Sequence, residues 1–213
     1  MKSSIRYQHI AHYSTSHVIN RDEKEIIIAL HGYGQLAEFF IKKFEPLYKE
    51  DRLIVVPEAT NYAYAKGFSG KVGANWMTHH ERESAIENNH NYLNSLLNAL
   101  LIKYTIKPTI KILGFSQGAA TATRWVSQLN VPVKSLVLWA GGFAHDLDFE
   151  EIGEKLKDSE VLFVTGDSDD LITPESISKQ DELISRLSCE VKKLQFEGGH
   201  ELDLPLLKKI FDQ

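Results

Sequence analysis

Five short, nearly unbroken apolar runs recur along the chain, at residues 26–30, 53–56, 109–113, 135–140 and 161–165, with a sixth, more alternating run at 191–196. A strand that is apolar at every position leaves no face for water. It fits a sheet covered on both sides, which is the usual situation of parallel sheets. Helix-sized segments separate the runs, at 36–49, 81–103, 117–128, 148–156, 175–187 and 204–211. Pro174 stands at the first turn of one of them, with Thr173 before it as a cap. The alternation predicts an α/β fold, a doubly wound, mostly parallel sheet flanked by helices. Residues 5–13 and 16–19 are expected as one or two edge strands. With 213 residues and neither repeat nor linker, the chain is expected to form one domain over residues 1–213.

The site-bearing feature is the run into Gly114-Phe115-Ser116-Gln117-Gly118, followed by an alanine-rich helical stretch. Gly-x-Ser-x-Gly between strand and helix is the nucleophile-elbow pattern. A serine on so tight a turn needs small neighbours, because strand and helix nearly touch, and Gly114 and Gly118 provide them. The turn also aims the first helix amides at the space beside the hydroxyl, where an anion would be stabilised.

A serine hydroxyl needs a base, most often histidine. Nine histidines are present. His200, in Glu197-Gly198-Gly199-His200 after the run 191–196, is the candidate, and His145 is a distant second. His9, His12, His17 and His90 read as surface residues. The imidazole in turn needs a carboxylate to fix its tautomer. Asp169 is chosen from the acid-rich loop after 161–165, because Leu171 and Ile172 behind it offer an anchor in the core. Asp167 and Asp170 read as turn residues, and Asp146 is the rival acid. The order Ser116, Asp169, His200 is that of α/β-hydrolases. For an oxyanion, the amide of Gln117 is one expected donor. Tyr33, in His31-Gly32-Tyr33-Gly34 after the run 26–30, is the other.

The segment 61–77 breaks the alternation, with Tyr62, Tyr64, Phe68 and Trp76 among three glycines. It is expected as a loop over the sheet edge, with Trp76, Tyr62 and Phe68 as substrate-binding residues.

Composition narrows the partners. Hydrophobic residues make up 43% and charged residues 25%, with a formal net charge of −5. That balance gives no reason to expect nucleic acid. Cys189 is the single cysteine, which suits a reducing compartment. The chain shows no signal-peptide pattern at its start and no run near the ~18 apolar residues of a transmembrane segment. A cytoplasmic location is expected, and no feature specifies an oligomeric state. A metal site on the helical face of Glu83, Glu87 and His90 is the weaker reading of residues 79–90, since the usual zinc pattern is absent there. No metal and no cofactor are expected.

Together, Leu30-His31-Gly32-Tyr33-Gly34, Val56-Pro57-Glu58-Ala59, Gly114-Phe115-Ser116-Gln117-Gly118, Gly166-Asp167-Ser168-Asp169-Asp170-Leu171-Ile172 and Gly199-His200 resemble the carboxylesterase/phospholipase family of the α/β-hydrolase superfamily, which includes acyl-protein thioesterases. The resemblance implies a compact α/β-hydrolase fold with a minimal lid. It implies cleavage of a small-molecule carboxylic ester or thioester without a cofactor, and it supports Asp169 as the acid. The chain departs from that family at Gln35, where an aspartate often follows His-Gly-x-Gly, and after Trp76, where an aspartate is also common. Both departures bear on substrate choice. A small-amide or peptide hydrolase, and a non-catalytic binding module on the same fold, are the alternatives weighed against an esterase.

Overall fold

In the computed structural model, which describes residues 2–212, the apolar runs become strands of one sheet. The strands are β1 (Tyr13–Thr15), β2 (Glu25–Leu30), β3 (Arg52–Pro57), β4 (Asn61–Tyr64), β5 (Val72–Asn75), β6 (Thr109–Phe115), β7 (Ser135–Trp139), β8 (Glu160–Gly166) and β9 (Val191–Phe196). Seven of them pair in the order β1-β3-β2-β6-β7-β8-β9, all parallel except β1, while β4 and β5 form a separate antiparallel hairpin. The helices are α1 (Ala37–Phe40), α2 (Arg82–Leu101), α3 (Gln117–Gln128), α4 (Phe149–Leu156), α5 (Pro174–Ser185) and α6 (Leu204–Phe211).

Period-two alternation divides each central strand between two cores. Ile26, Ile28, Leu53, Val55, Ile110, Ile112, Leu136, Leu138, Val161 and Phe163 share one, with Leu93 and Leu97 of α2, Trp125 of α3 and Ile152 of α4. Ile27, Ile54, Leu113, Val137, Leu162 and Val164 share the other, with Phe40, Phe44, Leu207 and Phe211. Both sets are buried, which is why the runs carry no polar alternation. The order reverses beside β2, which has β3 on one side and β6 on the other. Ligands of doubly wound sheets bind at such a switch point, outside the C-terminal ends of the strands.

Three expectations need correction. The helix predicted at 36–49 is the four-residue α1 followed by a 3-10 helix, Ile41–Leu47. Pro46 lacks the N–H an α-helix would use. The buried residues Ile41, Phe44 and Leu47 recur every third position, which suits three residues per turn. The strands expected at 5–13 and 16–19 do not form; the edge strand that pairs with β3 is Tyr13–Thr15, which overlaps the first of them only at Tyr13. The Ser16 side chain then occupies the edge, its hydroxyl accepting from the Ile54 N–H at 3.0 Å. The segment expected as a loop at 61–77 contains the β4–β5 hairpin, with Asn61 opposite Asn75 and Tyr64 opposite Val72.

The start of α3 and the sheet meet backbone to backbone. A methyl group on Gly118 would lie 2.2 Å from the Leu30 carbonyl oxygen, and one on Gly114 2.5 Å from the Ala119 Cα. Both obstacles are backbone, so no rotamer change relieves them. Gly118→Ala is expected to cost about 3 kcal/mol or more, measured as the shift in urea-unfolding free energy. A cost below about 0.5 kcal/mol would show that α3 can lift off the sheet freely.

Candidate active site

Ser116 follows β6, His31 follows β2, Asp169 follows β8 and His200 follows β9, so four loops meet at the C-terminal edge of the parallel strands. Ser116 has φ 55° and ψ −118°, a left-handed backbone that L-residues avoid. It is held there from both sides. The Ser116 N–H donates to the Trp139 carbonyl at 2.8 Å, and the Ser116 carbonyl accepts from the Ala119 N–H at 3.0 Å.

The serine hydroxyl lies 2.9 Å from His200 Nε2, and His200 Nδ1 lies 2.8 Å from Asp169 Oδ2. With a carboxylate facing Nδ1, that nitrogen carries the proton and Nε2 is free to accept from the hydroxyl. The Asp169 side chain has no exposure, while that of His200 is 23% exposed. The acid is therefore dry and the imidazole open to a substrate. Asp169 Oδ1 accepts from the Leu171 N–H at 2.9 Å. Ile172 packs against the core as expected, but Leu171 is 70% exposed and anchors nothing. Asp167 is indeed a turn residue and also ties the acid loop to the histidine loop, accepting from the Gly198 N–H at 3.0 Å. The Ser168 N–H donates to the Gly198 carbonyl at 3.0 Å.

The rival acid lies elsewhere. Asp146 accepts from Arg124 Nη2 at 2.8 Å and from Arg82 Nη2 at 2.6 Å. Burial pushes its pKa up, but the two guanidiniums win and hold the carboxyl below its usual range. His145, the second candidate base, is exposed. His90 is a correction, because it is buried rather than at the surface, and burial lowers its pKa. On the face considered for a metal, Glu83 pairs with Arg82 and Glu87 with Arg6. Among the described residues no group of three or more His, Cys, Asp or Glu side chains is arranged to hold a metal ion.

The loop after β2 is built around His31, which is fully buried. The Ala59 N–H donates to His31 Nε2 at 3.0 Å, so Nδ1 bears the proton and donates to the Gly32 carbonyl at 2.7 Å. Gln117, whose backbone opens α3, uses its side chain as a clamp. Its Oε1 accepts from the Trp76 N–H at 2.9 Å and its Nε2 donates to the Met77 carbonyl at 2.8 Å. Its own N–H, at the first position of the helix, has no intrahelical acceptor.

The aromatic residues divide. Trp76 is not a wall of an open pocket: it is fully buried, and its indole N–H donates to the His31 carbonyl at 2.8 Å. A large ring after a glycine-rich stretch reads as exposed in sequence, but here it is the floor beneath the loop after β2. Tyr62 is 47% exposed, and its hydroxyl donates to Glu58 at 2.9 Å. Burial and that carboxylate push its pKa up to about 12. Phe68, at the hairpin tip, is 98% exposed. Sequence reading missed the Arg82–Asp146–Arg124 cluster, whose members come from three separate elements and share no local pattern. It also missed the clamping role of the Gln117 side chain, for which the only signal was a long amide placed next to the serine.

A serine, an imidazole and a buried carboxylate in one hydrogen-bonded line, at the C-terminal edge of a doubly wound sheet, are the arrangement of an α/β-hydrolase. The chain belongs to the serine hydrolase family FSH1, which it matches over residues 21–212. No curated protein is significantly similar to it in sequence. Among solved structures it is similar to Zea mays acyl-protein thioesterase 2, with a TM-score of 0.69 at 16% identity over 95% of this chain and 97% of that one. It is likewise similar to a phospholipase/carboxylesterase from Dyadobacter fermentans, with a TM-score of 0.69 at 19% identity over 98% of each. Esterase PE8 gives 0.68 at 21% identity over 95% of this chain and 98% of that one. At these identities the likeness is one of fold.

Burial lowers the pKa of His31, outweighing the Gly32 carbonyl and Glu58, which raise it. The unfolded chain therefore binds the proton first as pH falls through the ordinary imidazole value of ~6.5. The stability this site contributes is complete above that value and declines below it. Unfolding free energy is expected to drop between about pH 7.5 and about pH 5.5, and His31→Gln should show a shallower drop. An identical slope in the variant would remove His31 from the pH dependence.

Proposed function

We infer that this chain hydrolyses carboxylic esters or thioesters of small or medium acyl groups through a covalent acyl-serine. The observation that carries this reading is the unbroken relay from the dry Asp169 through His200 to the hydroxyl of Ser116. Membership of a serine hydrolase family supports it, as does the fold shared with an acyl-protein thioesterase and an esterase. In the proposed cycle Ser116 Oγ attacks the acyl carbon while its proton passes to His200 Nε2. Asp169 stabilises the imidazolium, and the Tyr33 and Gln117 amides receive the oxyanion. The imidazolium then protonates the leaving alcohol or thiol. Water, deprotonated by the same imidazole, releases the acid and restores the serine. No step calls for a metal or cofactor. Tyr62 and Phe68 are proposed to meet the distal part of the substrate. A small molecule as substrate and a reducing, cytoplasmic setting belong to the same proposal; no helix among the described residues is long and apolar enough to cross a membrane.

Ser116→Ala is expected to lower turnover of p-nitrophenyl acetate by about 10⁴-fold or more. Retention of most of the rate would mean another nucleophile. Asp169→Asn should reduce kcat by about 10³- to 10⁴-fold, while Asp146→Asn changes it by less than about tenfold. The opposite ranking would transfer the acid's role. A graded panel of acyl esters, matching thioesters and anilides, run with both variants, reads the bond type directly.

A further inference from the structure

The four amides of residues 32–35 are not equivalent. The Gly32 N–H donates to Gln35 Oε1 at 2.8 Å, the Gly34 N–H to the Ala74 carbonyl at 2.8 Å, and the Gln35 N–H to the Gly32 carbonyl at 3.4 Å. The Tyr33 N–H alone has no protein acceptor among the described residues. The peptide that carries it is fixed at its other end, because its oxygen, that of Gly32, accepts from His31 Nδ1. In a trans peptide C=O and N–H point in opposite directions, so a carbonyl held toward His31 turns the Tyr33 N–H away from it. Gln35 sits beside the nucleophile. A methyl group on Gly32 would come within 3.2 Å of Ser116 Cβ and 3.3 Å of Gln35 Oε1, so the two flank one small space. The backbone of Gln35 is anchored from outside the loop, its carbonyl accepting from the Ala74 N–H of β5 at 3.2 Å.

We propose that Gln35 is a positioning residue for the hydrolysis. Its side-chain oxygen occupies the Gly32 N–H, braces the loop after β2 from within while the Gln35 backbone holds it to β5, and leaves the Tyr33 amide as the one loop donor for the oxyanion. The inference rests on the hydrolase reading given above and adds to it the selection of one donor. The place requires a side-chain oxygen that accepts the Gly32 N–H, and the amide supplies one without adding a negative charge beside the site where the oxyanion forms. The interaction acts on the tetrahedral state, so its loss should appear in kcat and in binding of tetrahedral analogues, with little effect on ground-state binding.

The test compares wild type, Gln35→Met, which keeps the length and loses the acceptor, and Gln35→Ala, which loses both. The readouts are kcat and KM for a p-nitrophenyl ester and Ki for an alkyl trifluoromethyl ketone, which forms a serine-bound oxyanion. Gln35→Met should lower kcat by about 10- to 100-fold with KM within about threefold, and raise Ki by the same factor as the fall in kcat/KM. An unchanged Ki, or a loss confined to KM, in a variant with a wild-type circular dichroism melt would overturn the proposal. If Gln35→Met does not fold, Gln35→Ala decides: ketone binding weakened by about tenfold or more at unchanged KM supports the role, and equal affinity refutes it. Wild type without turnover or ketone binding would instead defeat the hydrolase reading itself, a result distinct from an active wild type matched by its variants.

Discussion

The rest of the site depends on the close approach of helix α3 to the sheet edge. Ser116 is held at positive φ in a region where strained residues cost of order 1–3 kcal/mol and persist only when their surroundings over-determine them. The surroundings do so here. A methyl group on Gly118 would strike the Leu30 and His31 carbonyl oxygens, one on Gly114 the backbone of Ala119, and one on Gly141 the Ser116 carbonyl oxygen. Because β2, β6 and β7 all end beside the turn, the serine is gripped by three neighbouring strand ends. Its hydroxyl therefore stands off the turn instead of folding back to cap α3, and no side-chain cap is made there.

Once the serine is fixed, the loops around it are tied to one another more than to their own strands. The hairpin β4–β5 is the common support. It borders the loop after β2 through the Gly34 and Gln35 backbones, and its exit is clamped by Gln117 at Trp76 and Met77. The Trp76 carbonyl accepts from Asn89 of α2 at 2.8 Å, which carries the same tie into the helix layer. A methyl group on Gly73 would lie 2.5 Å from the Gly34 carbonyl oxygen, so hairpin and loop touch through backbone alone. Such contacts transmit position without slack, since packed backbone is not continuously deformable.

How much of this could be read from the string follows from where each signal resides. The central strands were legible because burial on both faces removes polar residues from the sequence itself. The elbow was legible because its glycines and serine lie within five residues. Asp169 and His200 could be chosen because each follows a strand on a short loop, and the topology then brings the strand ends together. The hairpin was not legible. Pairing of Asn61–Tyr64 with Val72–Asn75 spans a glycine-rich turn, and three of the four β4 positions carry Asn or Tyr, with no alternation to mark a buried face. Nor was the burial of Trp76, which rests on an indole N–H reaching a carbonyl 45 residues away in sequence. The fate of His90 was hidden for the same reason: Arg124 and Asp146, which act on it, lie far away in sequence.

Asp146 and Asp169 show why residue type and position after a strand do not suffice to assign a carboxylate. Both lie on loops at the same sheet edge. Asp146 is held by two guanidiniums, one of them in a forked contact from Arg124, so its charge is compensated and its lone pairs are largely engaged. An imidazolium beside it would face the repulsion of Arg82 and Arg124 as well as the attraction of the acid. Among the described residues no Lys or Arg side chain pairs with Asp169; it accepts from one backbone amide and from the imidazole. A dry carboxylate whose only exchangeable partner is a histidine gains most when that histidine becomes charged. The environment of each acid, set by residues far away in sequence, is what separates a structural anchor from a proposed participant in the chemistry.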